Sequence, residues 1–192
     1  MHEFHHFTTA IGLKGILDSG RILATDTYVN EAIKLKSVCL TTDLSPEGHG
    51  LPDGREITDK QALVFGHRCF TINNKTYCLN HREFRLKINP QNLDIIAAVD
   101  FHLNDMFMIK CLAASAYYPH GEAEEQVHLE EIARMVKDPT FLGKSPSWYY
   151  CLQDIPLASL VLIEKLSIDG SYQTVSSESI YSHLNKNPFL QG

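Results

Sequence analysis

The chain has 192 residues, of which 44% are apolar and 21% charged, a balance typical of one domain that buries a core without needing a metal or disulfide. No apolar run approaches the ~20 residues that cross a bilayer, and the amino terminus lacks the segments of a secretory signal, so we expect a soluble, cytoplasmic protein with no membrane partner. The net charge of −6 and the lack of a long basic run argue against non-specific binding to a nucleic-acid backbone.

The first elements predicted along the chain are a strand at residues 4–8 and a helix at residues 11–19. The segment Phe4-His5-His6-Phe7-Thr8 has the composition of a strand. Apolar residues then recur at helical spacing, at Leu13, Ile16 and Leu17. Because Gly20 follows as a C′ glycine would, the sequence predicts a strand, a helix and a stop, with Thr8 or Thr9 as the helix cap.

Two short strands are predicted next, at residues 21–25 and 37–42, followed by a loop over residues 43–59 that is rich in Gly and Pro. Long loops in compact domains are more often functional than not. The loop glycines would let backbone N–H groups approach a phosphate, and Arg55 could pair with it bidentately. We therefore name His49 and Arg55 as candidate nucleotide-binding residues; the alternative is an ordinary surface loop.

The rest of the chain favours strands at residues 83–88, 148–152 and 160–166, with helices at residues 104–118 and after Gly121. This gives six or seven strands and two to four helices, an α+β pattern. We expect a single domain over residues 1–175 and a polar tail at residues 176–192 that contains a short final helix.

Metal binding and disulfides are not expected. Five cysteines are scattered without a C-x-x-C pair, which favours reduced thiols. The His and Glu residues between His120 and Glu131 have helical spacing, but Pro119 and Gly121 disfavour a helix through His120. No zinc motif supports a site there.

Alternation along the first strand places His6 and Thr8 on one face. Two hydrogen-bonding side chains on one face could hold a ribose. The alternative is a structural histidine next to a hydroxyl that caps the helix.

The segments at residues 4–8, 12–20 and 22–25 together resemble the opening of the ADP-ribosyltransferase-like superfamily. They are most similar to the bacterial DNA-modifying toxins, the RNA 2′-phosphotransferases and related phage and bacterial proteins. The resemblance implies two facing antiparallel sheets with flanking helices around a nucleotide cleft. It also implies that His6 binds the adenosine-side ribose of NAD with Thr8 beside it, and that Thr41 and Thr42 support the nicotinamide pocket.

The superfamily also has a glutamate on a late strand, which stabilises positive charge as nicotinamide departs. The best local match in this chain carries Ser147 where relatives often carry Glu. The carboxylate could come instead from Glu125 or Glu124, or Gln153 or Asp154 could reach in from the strand end. The alternative is that these are solvated helix and turn residues.

The resemblance implies an NAD-dependent ADP-ribosyltransferase, a toxin-like or phage effector, that uses NAD as substrate and modifies a nucleic acid or a protein. His6 and Glu125 would be its catalytic residues. The second hypothesis is a catalytically impaired relative that binds a nucleotide or a protein partner without turnover; its net acidic charge suits a protein better than duplex DNA. The third is a domain that shares only the fold, which by itself does not fix function.

Overall fold

A computed structural model describes residues 2–30, 33–65, 68–118 and 126–186. The architecture is mixed α and β, and the chain divides into two compact units. The first comprises Met1–Leu44, Arg82–Ile96 and Tyr149–Gly192, and the second comprises Ser45–His81 and Ala97–Trp148. A single domain ending at residue 175 stays a prediction.

The described residues form thirteen strands and six helices. The strands are β1 (Phe4–Thr8), β2 (Arg21–Ile22), β3 (Thr25–Asn30), β4 (Ile33–Thr41), β5 (Glu56–Ile57), β6 (Cys69–Ile72), β7 (Lys75–Cys78), β8 (Phe84–Ile88), β9 (Ile95–Ala97), β10 (Trp148–Cys151), β11 (Ile155–Pro156), β12 (Leu160–Leu166) and β13 (Tyr172–Thr174). The helices are α1 (Ala10–Ser19), α2 (Asp59–Phe65), α3 (Ala98–Phe101), α4 (Met106–Ser115), α5 (Gln126–Lys137) and α6 (Ser177–Lys186).

An eight-stranded sheet has the strand order β13-β12-β8-β1-β4-β10-β9, with β3 paired to β4 beside this path. The first strand of the chain therefore lies inside the sheet, antiparallel to both β8 and β4. In this register His6 is opposite Leu86 on β8, and His5 is opposite Thr41 on β4. A two-stranded sheet joins β2 to β11, and β5, β7 and β6 form a third sheet in the second unit.

The predicted strand, helix and stop at the amino terminus are confirmed. Thr9 is the N-cap of α1, and its hydroxyl accepts a hydrogen bond of 2.9 Å from the Gly12 N–H. Gly20 ends the helix with φ of 71°, the left-handed conformation that glycine adopts without steric cost. Leu13 and Ile16 are buried, so the apolar stripe of α1 faces the core.

The two faces of the large sheet differ in chemistry. One, which we call the core face, carries Phe4, Leu86 and Ile88 and packs on buried residues of α1 and α6. On α6 the buried residues are Ile180 and Leu184, so the short final helix expected in the polar tail packs into the core. The opposite side, which we call the polar face, carries His5 and Arg85.

In the second unit, α4 and α5 lie where apolar periodicity predicts helices. The hairpin of β6 and β7 was not predicted. Its turn is made by Asn73 and Asn74, with φ of 51° and 61°, and asparagine tolerates this left-handed region better than most residues. Within the described ranges, no helix is long and apolar enough to cross a membrane.

The predicted count of six or seven strands is wrong, because thirteen strands are described. Seven of them are short and leave little periodic signal: β2, β5 and β11 have two residues each, β9 and β13 three, and β6 and β7 four. The strand predicted at residues 21–25 ends at Ile22, and Thr25 begins β3. The loop predicted over residues 43–59 is shorter, because it already contains β5 and the first residue of α2.

Candidate functional site

His6 lies on β1, and its position is fixed by a contact to the neighbouring strand. Its Nδ1 lies 3.0 Å from the carbonyl oxygen of Cys39 on β4. A carbonyl oxygen can only accept, so Nδ1 carries the hydrogen and donates it. Nε2 then holds a lone pair, and no residue in the described part of the chain hydrogen bonds to it.

Burial of His6 lowers its pKa below the ordinary value of 6.5, because desolvation disfavours the charged ring; the bond to the Cys39 carbonyl opposes this shift. The imidazole is therefore neutral at neutral pH. A half-buried, neutral ring with a free Nε2 lone pair can accept a hydrogen bond from a hydroxyl group, such as that of a ribose.

Thr8 shares the core face with His6, as alternation predicts, and its side chain is buried. The space next to its hydroxyl depends on Gly12 in the first turn of α1. A Cβ atom added at Gly12 would overlap the Thr8 Oγ1, so glycine at this position leaves room for the threonine hydroxyl.

The structure does not bring Thr41 to His6. Thr41 is opposite His5 on β1, so its side chain belongs to the polar face while that of His6 belongs to the core face. The Thr41 hydroxyl accepts a hydrogen bond of 3.0 Å from the Asp43 N–H and so shapes the turn after β4. Thr42 follows the strand and is half-buried.

His49 and Arg55 belong to the second unit, in the glycine-rich loop. The His49 Nδ1 accepts a hydrogen bond of 2.8 Å from the indole Nε1 of Trp148, which sets the histidine orientation. Gly48 and Gly50 have φ of 73° and 67°, so the loop does use the conformational freedom of its glycines. The Arg55 residue is exposed, and its backbone N–H donates to the Asp53 carboxylate.

Two of the four residues proposed to supply a carboxylate or a polar group serve local structure. One Asp154 oxygen accepts from the Ala24 N–H at 2.8 Å, and the other accepts from Arg21 at 3.3 Å. Gln153 donates to the Asn92 carbonyl at 3.3 Å. Both side chains therefore hold the turn after β10 to neighbouring segments.

The other candidate acids, Glu124 and Glu125, lie outside the described residues. Ser147, at the position where the resemblance places a glutamate, ends a 3₁₀ turn and donates to the Lys144 carbonyl at 2.8 Å. Among the described residues, no group of three or more His, Cys, Asp or Glu side chains could hold a metal ion.

The polar face carries a buried ion pair that was not predicted from the sequence. Arg85 on β8 donates two hydrogen bonds to Glu164 on β12, of 2.7 and 2.9 Å. Both side chains are nearly buried, at 11% and 13% exposure. The Arg85 guanidinium also lies 4.3 Å from the centre of the Tyr172 ring. Alternation in residues 83–88 was the available signal, since it puts Arg85 and Lys87 on one side of the strand.

His5, on the same face, is only 2% exposed, and neither ring nitrogen has a hydrogen-bond partner among the described residues. Burial lowers its pKa, the Arg85 charge adds to this effect, and the Glu164 charge opposes it. His5 and His6 are thus adjacent in sequence but face different surroundings.

Comparison with protein-family models, curated proteins and solved structures finds no match for this chain. Any assignment of function therefore depends on the residues described above and on the resemblance of the opening segments. Those segments fold as one strand–helix unit, with His6 and Thr8 on its core face.

Proposed function

We propose that the protein is an NAD-dependent ADP-ribosyltransferase that uses NAD as substrate and modifies a nucleic acid or a protein. The observation that carries the proposal is the state of His6. The Cys39 carbonyl fixes its tautomer, and Nε2 is left as an acceptor on the face that also carries Thr8. The two facing antiparallel sheets of the superfamily are part of the proposal, and the antiparallel pairing of β1 with β4 and β8 supports them.

In this proposal, His6 Nε2 accepts a hydrogen bond from the adenosine-side ribose of NAD. The bond between nicotinamide and its ribose then breaks, and nicotinamide leaves. A nucleophile of the acceptor molecule forms a new bond to the same ribose carbon. The positive charge that develops on the ribose needs a nearby carboxylate. The resemblance implies Glu125 as its source, and Thr42, in the same unit as His6, is a proposed contact to the rest of the nucleotide.

A second candidate is a nucleotide-binding protein that does not turn NAD over. It is favoured by the contacts of the residues near the usual glutamate position. The Asp154 carboxylate accepts hydrogen bonds from Ala24 and Arg21, so it is already used within the chain. Ser147 has no carboxylate, and its hydroxyl donates to a backbone carbonyl. His6 would bind ribose equally in this case.

The test combines calorimetric titration of NAD and ADP-ribose with measurement of nicotinamide release. The informative variant is His6→Asn, because the asparagine Nδ2 can still donate to the Cys39 carbonyl while the Nε2 acceptor is lost. We expect it to keep the wild-type melting temperature and to bind NAD about tenfold more weakly, the loss of one hydrogen bond. The control His2→Ala removes an exposed histidine and should bind NAD normally.

The outcomes separate the two candidates. Nicotinamide release that stops in Glu125→Gln supports the transferase. Binding of NAD without release supports the second candidate. If neither NAD nor ADP-ribose binds, or if His6→Asn binds both as well as the wild type does, the assignment of His6 is wrong.

A further inference from the structure

Three charged or titratable side chains form a hydrogen-bonded row in the first unit: Glu83, His183 and Lys165. The His183 Nε2 lies 2.7 Å from a Glu83 carboxylate oxygen, and its Nδ1 lies 2.8 Å from the Lys165 Nζ. The second Glu83 oxygen accepts from the backbone N–H of Ala10, in the first turn of α1, at 3.0 Å. Glu83 is therefore held from two sides and in turn orients the histidine.

The geometry assigns the protons. A carboxylate accepts, so His183 Nε2 carries the hydrogen on that side. His183 Nδ1 then has a lone pair for the Lys165 ammonium, which donates one of its three N–H groups to it. The row has no net charge, because the positive lysine balances the negative glutamate. The bond to His183 therefore fixes the position of the Lys165 ammonium group. Its other two N–H groups make no hydrogen bond to the described residues.

Lys165 and His183 line a recess of about 290 Å³. Phe84, Val175 and Ile180 form its apolar wall, and Ser179 and Ser182 on α6 complete it. Both serines are exposed, so the recess opens to solvent. Its volume equals about ten water molecules at ~30 Å³ each, near the lower limit of roughly 300 Å³ for small-molecule sites.

We propose that this recess binds a small carboxylic acid with a short apolar chain. The ligand carboxylate takes the two remaining Lys165 donors and the serine hydroxyls, and its chain lies against Phe84 and Ile180. A single negative charge fits better than a doubly charged phosphate, because among the described residues Lys165 is the one cationic side chain that lines the recess, while Glu83 lies behind His183 and does not line it. The recess is too small to enclose a whole dinucleotide, so the proposed ligand is a molecule other than NAD.

The experiment titrates sodium butyrate into the isotopically labelled 192-residue chain and follows the backbone amide signals by NMR. We expect saturable shifts at Ser179, Ser182 and His183. n-Butanol has the same chain without the charge and should bind at least about tenfold more weakly, since a hydrogen bond to a charged group contributes about 1.5–3 kcal/mol. Inorganic phosphate has charge without the chain and should also bind more weakly, because it buries no apolar surface against Phe84 and Ile180.

Lys165→Met keeps the apolar stem and removes the charge, and it should weaken butyrate binding at least about tenfold. Lys75→Met removes a lysine charge in the second unit and should bind butyrate as the wild type does. If Lys165→Met does not fold, Ser182→Val on the exposed side of α6 tests the same site and should also weaken binding.

Three results would overturn the proposal: no saturable shift at the recess, equal binding of butanol and butyrate, or unchanged butyrate binding in Lys165→Met and Ser182→Val. None of the probes contains a nucleotide, so the outcome does not depend on whether the chain binds NAD.

Discussion

Replacing Glu164 by glutamine tests whether the buried ion pair holds β8 and β12 together. Glu164 receives two hydrogen bonds from Arg85, and both side chains are almost fully buried. Arg85 also donates a bond of 2.6 Å to the Leu44 carbonyl, so it cannot leave the site without losing a second contact. Glu164→Gln therefore leaves a buried guanidinium without its counter-charge.

The expected cost follows from this geometry. Removing one partner of a buried ion pair costs about 3–5 kcal/mol of unfolding free energy. The glutamine oxygen can still accept one of the two bonds, so we take about 3 kcal/mol, the lower end. For a chain of this length each kcal/mol lowers the melting temperature by about 2–4 °C, so the expected shift is about 6–12 °C.

Urea and thermal unfolding followed by circular dichroism measure this change. The matched control is Asp18→Asn, which removes the carboxylate of the solvent-exposed pair between Lys14 and Asp18 in the same unit. The double variant Arg85→Met with Glu164→Leu removes both charges and should be more stable than Glu164→Gln. If Glu164→Gln loses no more stability than Asp18→Asn does, the pair does not hold the two strands and the reasoning fails.

Two further predictions concern α1 and the buried histidines. Gly12→Ala should lower the melting temperature because its Cβ meets the Thr8 hydroxyl, whereas Gly15→Ala in the same helix meets no atom and should raise stability by about 0.5–1 kcal/mol; equal effects would contradict the close packing at Thr8. Burial lowers the pKa of His5 and of His6 below 6.5, so the unfolded chain takes up these protons first as the pH falls. The free energy of unfolding should therefore have its full value above about pH 6.5 and decrease as the pH falls below it, with a smaller slope in His6→Asn. A flat profile in the wild type would contradict the burial of these rings.

The sequence predicts well those elements whose pattern is local. β1, α1 and β12 have the length and periodicity that identify them, and the caps Thr9 and Gly20 mark the helix ends. Short strands such as β5 and β11 exist because a neighbouring strand pairs with them, not because of their own composition. Such elements cannot be found by a periodicity argument.

In the candidate sites, too, contacts within one strand can be predicted from the sequence, whereas contacts between distant strands cannot. Alternation within one strand correctly puts His6 and Thr8 on one face. It also separates His6 from Thr41, but only once the pairing of β1 with β4 is known. Arg85 and Glu164 are 79 positions apart, and Glu83 and His183 are 100 positions apart. No spacing rule links residues at such separations, so only the fold reveals these contacts.

The position of β1 inside the large sheet has a consequence for how the chain folds. Among these paired strands β1 is synthesised before β4 and β8, with which it pairs, and β12 can add to β8 only once residues 160–166 have been made. Closing such distant pairs costs loop entropy before any contact compensates for it. We therefore expect slow folding, on the order of milliseconds to seconds. Until β8 arrives, β1 has an open edge that a chaperone or a second nascent chain could occupy.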